Sequence, residues 1–261
     1  MFTLEVFDIN NECLSTSTSD TIAQLDVRYR DYMPGDYILV TCDKPGYTLE
    51  AMLDVSLMPS IIYLSGTSLR FDIPFGVDRE PYGQHAFTGD CHWGYIKAID
   101  SKSKNNYVCL SQNSMDLEDV VDVFPHATTN SGATNVRFLA KNAIDGVVQT
   151  CHHGRWPYES FGINGRDDAW LKVDLGREVI AEDLVVWLRA DFPHDAWWEQ
   201  LTLTLSNGHT ETLPLQKSDG PQVFPLRQEK ISWFMISDMK KAQCEALWPA
   251  LSQIQVMGRL I

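Results

Sequence analysis

The sequence has few basic residues and no cluster of them. Its 261 residues include 21 Lys and Arg against 35 Asp and Glu, which gives a formal net charge of −14. Because proteins bind nucleic acid and anionic membranes through clustered Lys and Arg, this balance argues against both kinds of partner. We expect a neutral or cationic ligand instead.

The sequence also lacks the segments typical of export and membrane insertion. Residues 1–5 have neither the basic region nor the apolar region of a secretory signal. No apolar run approaches the ~18 residues needed to span a bilayer. We therefore expect a cytoplasmic protein with no membrane partner.

The six cysteines show neither a C-x-x-C pair nor the spacing of a metal finger. Because cytosolic disulfides are rare, we expect free thiols, although an even count would also allow disulfides if an export signal had been removed. Cys151 beside His152 suggests a nucleophile, but a buried thiol is the more common case.

Familiar catalytic motifs are absent too. The sequence contains no H-E-x-x-H, no G-x-S-x-G and no Gly-rich phosphate loop. Residues 162–165 (GING) are better interpreted as a turn. These absences favour a non-catalytic binding protein that requires no cofactor.

Short segments rich in β-branched and aromatic residues dominate the chain and predict an all-β fold. The clearest strands are residues 36–41, 60–64, 94–99 and 107–110, and Asn207-Gly208 predicts the turn of a hairpin between residues 201–205 and 210–213. Helical signals are few, and residues 20–26 and 116–123 predict at most short helical turns. Several short strands at close spacing are typical of β-sandwiches.

The length of the chain suits two domains of ordinary size. The polar stretch between Ser111 and Thr134 is the best candidate for a boundary, which we place near Val123. We therefore predict an N-terminal β-sandwich of unassigned family over residues 1–123. A second β-sandwich covers residues 124–261.

Three pieces of the second half occur in the order and spacing of a known family. They are residues 140–146 (AKNAIDG) with Thr150 five positions after the Asp, residues 169–176 (AWLKVDLG), and residues 249–258 (PALSQIQVMG). On these pieces the second half resembles the discoidin or coagulation factor V/VIII type C domains and their galactose-binding-like relatives among carbohydrate modules. The resemblance implies an antiparallel jelly roll of about eight strands, with a ligand site on the loops at one end.

The resemblance also implies a structural calcium ion under the opening loop. Asp145 and Thr150 match the family's ligands, whereas the acidic position of the last strand holds Gln253, whose amide oxygen can still bind a hard cation. The alternative is that Asp145-Gly146 is a plain turn whose carboxylate caps backbone N–H groups.

Aromatic and polar residues are concentrated between His152 and Trp198, where five of the eight tryptophans lie. Rings next to His, Arg and Asp at turn signals are typical of recognition loops, and a sugar offers such a surface an apolar C–H face and hydroxyl groups. We therefore predict a carbohydrate ligand. The candidate binding residues are His153, Trp156, Tyr158, Arg189, Asp191, His194, Asp195, Trp197 and Trp198.

Chemistry suggests roles for several of these residues. One of the adjacent Trp197 and Trp198 would stack on the sugar, since neighbours on a strand face opposite sides. Arg189 would donate to vicinal hydroxyls, and Asp191 or Asp195 would accept from them. His153 and His194 would each offer one donor or acceptor, or a metal ligand.

Other interpretations remain open. Trp156 could pack in the core in place of a family tryptophan that is His152 here, and we expect Trp170 and Trp187 to be core residues. Pro157 and Pro193 could form rigid turns whose aromatics pack within their own loops. The main alternative function is a protein-binding module. A glycoside hydrolase that uses Asp191 and Asp195, or a metal held by His153, His194 and Asp191, is a third hypothesis.

Overall fold

The computed structural model describes residues 1–100, 103–150, 156–190 and 196–261, and this part of the chain is almost entirely β-structure. The all-β prediction is confirmed. Helix in the described ranges is limited to short 3₁₀ segments, which are Gly76–Arg79, Ser103–Asn105, Val136–Phe138 and Ala140–Ala143. None of these could cross a membrane, and no other helix in those ranges is long and apolar enough to do so.

The described ranges contain seventeen strands. The first eight are β1 (Phe2–Phe7), β2 (Cys13–Ser19), β3 (Ile22–Arg28), β4 (Tyr37–Cys42), β5 (Tyr47–Met52), β6 (Ser60–Leu64), β7 (Ser68–Asp72) and β8 (Cys91–Ala98). The others are β9 (Val108–Cys109), β10 (Val123–Phe124), β11 (His126–Thr129), β12 (Phe161–Gly162), β13 (Leu171–Arg189), β14 (Trp198–Leu205), β15 (Thr210–Pro214), β16 (Gln222–Lys241) and β17 (Ala250–Leu260).

The N-terminal strands form two antiparallel sheets, in the orders β2-β1-β4-β7 and β10-β6-β5-β8-β3. The two sheets share one buried hydrophobic cluster, to which β1, β3, β4 and β6 all contribute side chains. Strands predicted at residues 36–41, 60–64 and 94–99 correspond to β4, β6 and β8. The helical turn predicted at residues 20–26 is wrong, because Ala23, Leu25 and Val27 are buried at every second position and place β3 in a sheet.

The second half forms an eight-stranded antiparallel sheet in the order β12-β17-β13-β16-β14-β15, with β11 on β13 and β9 on β17. The first part of β13 lies between β11 and β16, whereas its second part lies between β17 and β16. A register shift between Asp174 and Val179 separates the two parts. The bent strand thereby joins two layers around a second buried cluster, and the predicted hairpin at Asn207-Gly208 connects β14 to β15.

The connecting segment contributes to both halves. Strand β9 pairs with the C-terminal sheet, where Cys109 lies opposite Met257, while β10 returns to the N-terminal sheet with Val123 opposite Leu64. The Ser114 hydroxyl donates to the Met58 carbonyl at 2.6 Å. The chain therefore crosses between two cores before the second sandwich begins, and the domain boundary near Val123 stays a prediction.

Two side-chain expectations concern tryptophan and cysteine. Trp170 and Trp187 are only partly buried, so the prediction that they are core residues is wrong; the Trp187 indole instead donates to the Gln255 side chain at 3.2 Å. Cys13, Cys42, Cys91, Cys109 and Cys244 are free thiols, and Cys151 lies outside the described residues.

Candidate functional site

Loops converge at one end of the second sandwich. Arg189, the last residue of β13, lies opposite Ala250, the first residue of β17, and the short β12 pairs with the same end of β17. The described residues next to these strand ends, which are residues 156–160, Ala190 and Pro249, therefore lie at the same end of the sheet. His153, Asp191, His194 and Asp195, all predicted ligand-binding residues, lie outside the described residues.

Tyr158 and Arg189 come from the two predicted loops, and the structure brings them into contact. The Arg189 guanidinium lies 4.2 Å from the centre of the Tyr158 ring, and its Nη1 donates to the Tyr158 carbonyl at 2.9 Å. Arg189 has 0% of its surface exposed. Its predicted role as a donor to sugar hydroxyls is therefore corrected. The buried guanidinium contacts the carbonyl and the ring of Tyr158 instead.

Trp198 also differs from its predicted role. Its side chain is fully buried in the hydrophobic core of the second sandwich, so it has no face on which a sugar could stack. Trp197 directly precedes β14, is partly buried and packs against the same core. Neither residue provides the exposed platform that the sequence suggested.

Trp156 is the predicted aromatic that reaches solvent. Its side chain is 45% exposed, which contradicts the alternative that it fills the core. One edge of the indole faces the N-terminal half, where a Cβ on Gly83 would lie 3.7 Å from the Trp156 ring. Trp156 therefore stands at the junction of the two halves with part of its ring free.

A groove runs past Trp156 between the two halves, and we call it the Trp156 groove. It consists of two adjoining cavities of about 490 Å³ and 420 Å³. Both are lined by Tyr82, Gly83, Gln84 and Trp156. The remaining lining residues relevant here are His85, Asn113, Asp116, Lys141, Asn142 and Asp145 in the larger cavity, and Arg79, Glu80, Arg137 and Tyr158 in the smaller one.

Charged side chains along the walls of the groove have partners in the protein. Arg137 bridges to Glu80 at 3.1 Å, and the Lys141 ammonium donates to the Tyr82 hydroxyl at 3.4 Å. Behind Trp156, burial raises the pKa of Glu159 to about 7, while hydrogen bonds from the Tyr158 backbone and the Trp156 side chain oppose this shift. The groove thus offers both positively and negatively charged hydrogen-bonding groups around aromatic rings.

A further hollow at the same end was not predicted from the sequence. Its volume is about 370 Å³, and its wall includes Phe138, Tyr158, Asn164 and Trp248. Trp248 is 59% exposed. The sequence held a signal for an exposed aromatic here. Trp248 is followed by Pro249 directly before the last strand, just as Trp156 is followed by Pro157.

Comparison with solved structures finds carbohydrate-binding modules. Chitosan-binding module 1 from a Paenibacillus sp. IK-5 chitosanase/glucanase is similar over 58% of this chain and 99% of its own, with 17% identity and a TM-score of 0.40. The family 32 module from C. perfringens NanJ, in complex with galactose, covers 58% and 99%, with 16% identity and a TM-score of 0.40.

A Streptococcus pneumoniae fucose binding module, SpX-3, covers 57% of this chain and 96% of its own, with 13% identity and a TM-score of 0.39. No family model and no curated protein matches the sequence. The second half of this chain forms the eight-stranded antiparallel sheet described above.

Asp145 and Gln253, two of the calcium ligands implied by the resemblance, both contact the backbone of the loop at residues 145–147. The Asp145 carboxylate accepts the Val147 amide at 2.7 Å, and the buried Gln253 side chain accepts the Gly146 amide at 3.3 Å. Burial, with the Glu159 carboxylate nearby, raises the pKa of Asp145 well above its ordinary value. A carboxylate, an amide oxygen and the Thr150 hydroxyl are oxygen donors of the type that calcium prefers, so the residues fit a hard cation.

Proposed function

We propose that the discoidin-like sandwich binds carbohydrate, with the exposed indole of Trp156 as the stacking surface. The observation that carries this proposal is the position of Trp156, 45% exposed at the edge of a groove with hydrogen-bonding walls. An aromatic face suits the apolar C–H face of a pyranose, and the surrounding amide, ammonium and carboxylate groups suit its hydroxyls.

The charge of the protein supports a neutral sugar over a polyanion. The formal net charge is −14, and the basic residues of the smaller cavity include Arg137, which is already paired with Glu80. A highly anionic glycan would meet unfavourable long-range electrostatics. Neutral or amino sugars meet no such barrier, and we propose that they are the ligand class.

Titration calorimetry of the full chain tests the proposal. The sugars bound by the similar solved structures, galactose, fucose and chitosan oligomers, supply the first panel. We expect saturable binding of at least one of them by the wild type and loss of that binding in Trp156→Ala. Trp93→Ala is the matched control, because Trp93 is 40% exposed but lies on β8 and lines neither cavity of the groove.

A folded wild-type protein that gives no heat with any sugar of the panel would overturn the proposal of carbohydrate binding. Equal losses in Trp156→Ala and Trp93→Ala would point to a general effect on the fold, and would remove Trp156 from the site.

We also propose that Asp145, Thr150 and Gln253 hold a calcium ion that stabilises the opening loop. The support is the oxygen chemistry of the three side chains and the partly buried carboxylate of Asp145, which forms no ion pair within the described residues. The ion would have a structural role in this proposal, and carbohydrate would bind through side chains.

A protein partner is the second candidate function, and one observation favours it. Leu247 and Trp248 are adjacent, with exposed fractions of 68% and 59%, and they form an apolar protrusion of the kind that is enriched at protein interfaces. If the sugar panel fails, wild type and Trp248→Ala would be compared in partner capture from cell extract. A partner retained by the wild type and lost in the variant would support this function.

A further inference from the structure

We propose that the ligand is an oligosaccharide that runs through the Trp156 groove, and that the N-terminal half forms one wall of its binding site. This inference rests on the proposed carbohydrate function and extends it. The Trp156 ring has a wall opposite it, because a Cβ on Gly83 of the N-terminal half would lie 3.7 Å from the ring.

The shape of the groove favours a chain of sugar units over a single one. Cavities of about 490 Å³ and 420 Å³ share Tyr82, Gly83, Gln84 and Trp156, so the hollow continues on both sides of these residues. Each cavity alone has the volume of a small-molecule site. A monosaccharide would occupy one side of Trp156, and a longer chain would extend to the other.

Gly83 keeps the passage between the cavities open. Its φ is not in the left-handed region, so the backbone does not require glycine there. A Cβ at this position would reach ordinary contact distance from the Trp156 ring, 3.7 Å. Any larger side chain would extend into the space beside the ring. The passage between the two cavities is therefore open because residue 83 has no side chain.

The N-terminal wall carries free hydrogen-bonding groups. Gln84 and His85 are exposed on the loop that lines the larger cavity, and neither side chain takes part in a hydrogen bond with the described parts of the chain. An amide and an imidazole each offer both a donor and an acceptor, which suits sugar hydroxyls. They lie across the groove from Lys141 and Asp145, which belong to the second sandwich.

Contacts between the halves hold the two walls in place. Arg137 pairs with Glu80 at 3.1 Å, and the Lys141 ammonium donates to the Tyr82 hydroxyl at 3.4 Å. The backbone at Gly146 is also close to the N-terminal half, since a Cβ there would lie 3.0 Å from the Met58 Cβ. A groove with fixed walls binds an extended ligand at a lower entropic cost than a flexible one.

The experiment compares chain lengths on the full protein. Galactose with lactose, and glucosamine with chitosan disaccharide and tetrasaccharide, are titrated calorimetrically into the wild type and Gln84→Ala/His85→Ala. We expect the longer chains to bind the wild type more tightly, and the double variant to lose about fivefold in their affinity for each hydrogen bond removed. Because Gln84 lines both cavities but His85 lines only the larger one, the affinity for the monosaccharide should fall less than the affinity for the longer chains.

Gly83 supplies a steric test with its own control. Gly83→Ala adds only an atom at contact distance and should leave binding of the tetrasaccharide unchanged, whereas Gly83→Phe should block the passage and weaken it at least tenfold. Melting temperatures close to that of the wild type would show that both variants are folded.

The possible results separate this inference from the proposed function. If Trp156→Ala abolishes binding while Gln84→Ala/His85→Ala and Gly83→Phe bind all chain lengths like the wild type, the inference is overturned and the carbohydrate function stands. If the wild type binds no sugar of any length, both are overturned.

Discussion

The guanidinium of Arg189 stacks 4.2 Å from the centre of the Tyr158 ring, although the two residues are 31 positions apart in the chain. The arginine is fully buried at the end of β13, and it also donates to the Tyr158 backbone. It therefore fixes the loop that carries Trp156 and Tyr158 onto the end of the sandwich. The position of the exposed ring depends on this buried contact.

Substitution of Arg189 should affect stability before it affects ligand contacts. Arg189→Ala removes the buried guanidinium that contacts the Tyr158 carbonyl and ring, and we expect the free energy of unfolding to fall by about 2 to 4 kcal/mol. Arg189→Lys keeps the charge but loses the planar stacking, so a smaller loss is expected. Urea unfolding of both variants measures the effect. Unchanged stability with a complete loss of sugar binding would instead make Arg189 a direct ligand contact.

Trp198 should behave as a core residue and Trp156 as a surface residue. Trp198→Ala removes a fully buried indole and should destabilise the protein by about 3 to 5 kcal/mol, with a smaller loss in Trp198→Phe. Trp156→Ala removes a half-exposed ring and its hydrogen bond to Glu159, and should destabilise the protein by only about 1 to 2 kcal/mol. Chemical denaturation of the three variants checks the difference. Similar stability losses at both positions would show that Trp156 is also part of the core.

Stability should decrease as the pH rises through the range in which Glu159 titrates. Burial raises the pKa of Glu159 from 4.5 to about 7, so between these values the folded protein holds a proton that the unfolded chain has released. The favourable contribution of the protonated carboxyl is fully present below pH 4.5 and is lost as the pH rises to 7. The shift corresponds to about 3 kcal/mol at most.

Glu159→Gln provides the comparison for this pH dependence. The variant cannot release the proton, so its stability between pH 4.5 and 7 should decrease less steeply, and above pH 7 it should be the more stable protein. Unfolding free energies across pH 4 to 8, in buffer with chelator, measure both curves. Parallel curves for wild type and variant would show that Glu159 does not titrate in this range.

Calcium should stabilise the wild type through Asp145. We expect the melting temperature to rise on addition of calcium and to fall with chelator, because an ion that binds only the folded state shifts the folding equilibrium. Asp145→Asn should lose this response, since it removes the carboxylate from the donor set. Asp174→Asn is a control on a strand of the same sandwich. A response of equal size in Asp145→Asn would place the calcium site elsewhere.

Local patterns in the sequence were sufficient for much of the fold. Short segments rich in β-branched and aromatic residues located β4, β6 and β8, and Asn207-Gly208 located the β14–β15 hairpin, because strand and turn preferences depend on near neighbours. The same reasoning failed at β3, where polar residues between Ala23, Leu25 and Val27 concealed a half-buried strand. The calcium ligands Asp145, Thr150 and Gln253 were implied only by the family resemblance, and they stay a prediction.

The candidate site depended on tertiary structure. Sequence proximity grouped Arg189 and Trp198 with Trp156 as surface residues, yet the bend of β13 and the alternation of β14 bury the first two and leave the third exposed. Exposure depends on which elements pack on a side chain, and those elements come from distant parts of the chain. The composition alone established an acidic chain, and local strand and turn patterns predicted its β-structure. Only the packing of the two halves against each other placed Gly83 and Gln84 beside Trp156, because no local pattern records a contact between residues about seventy positions apart.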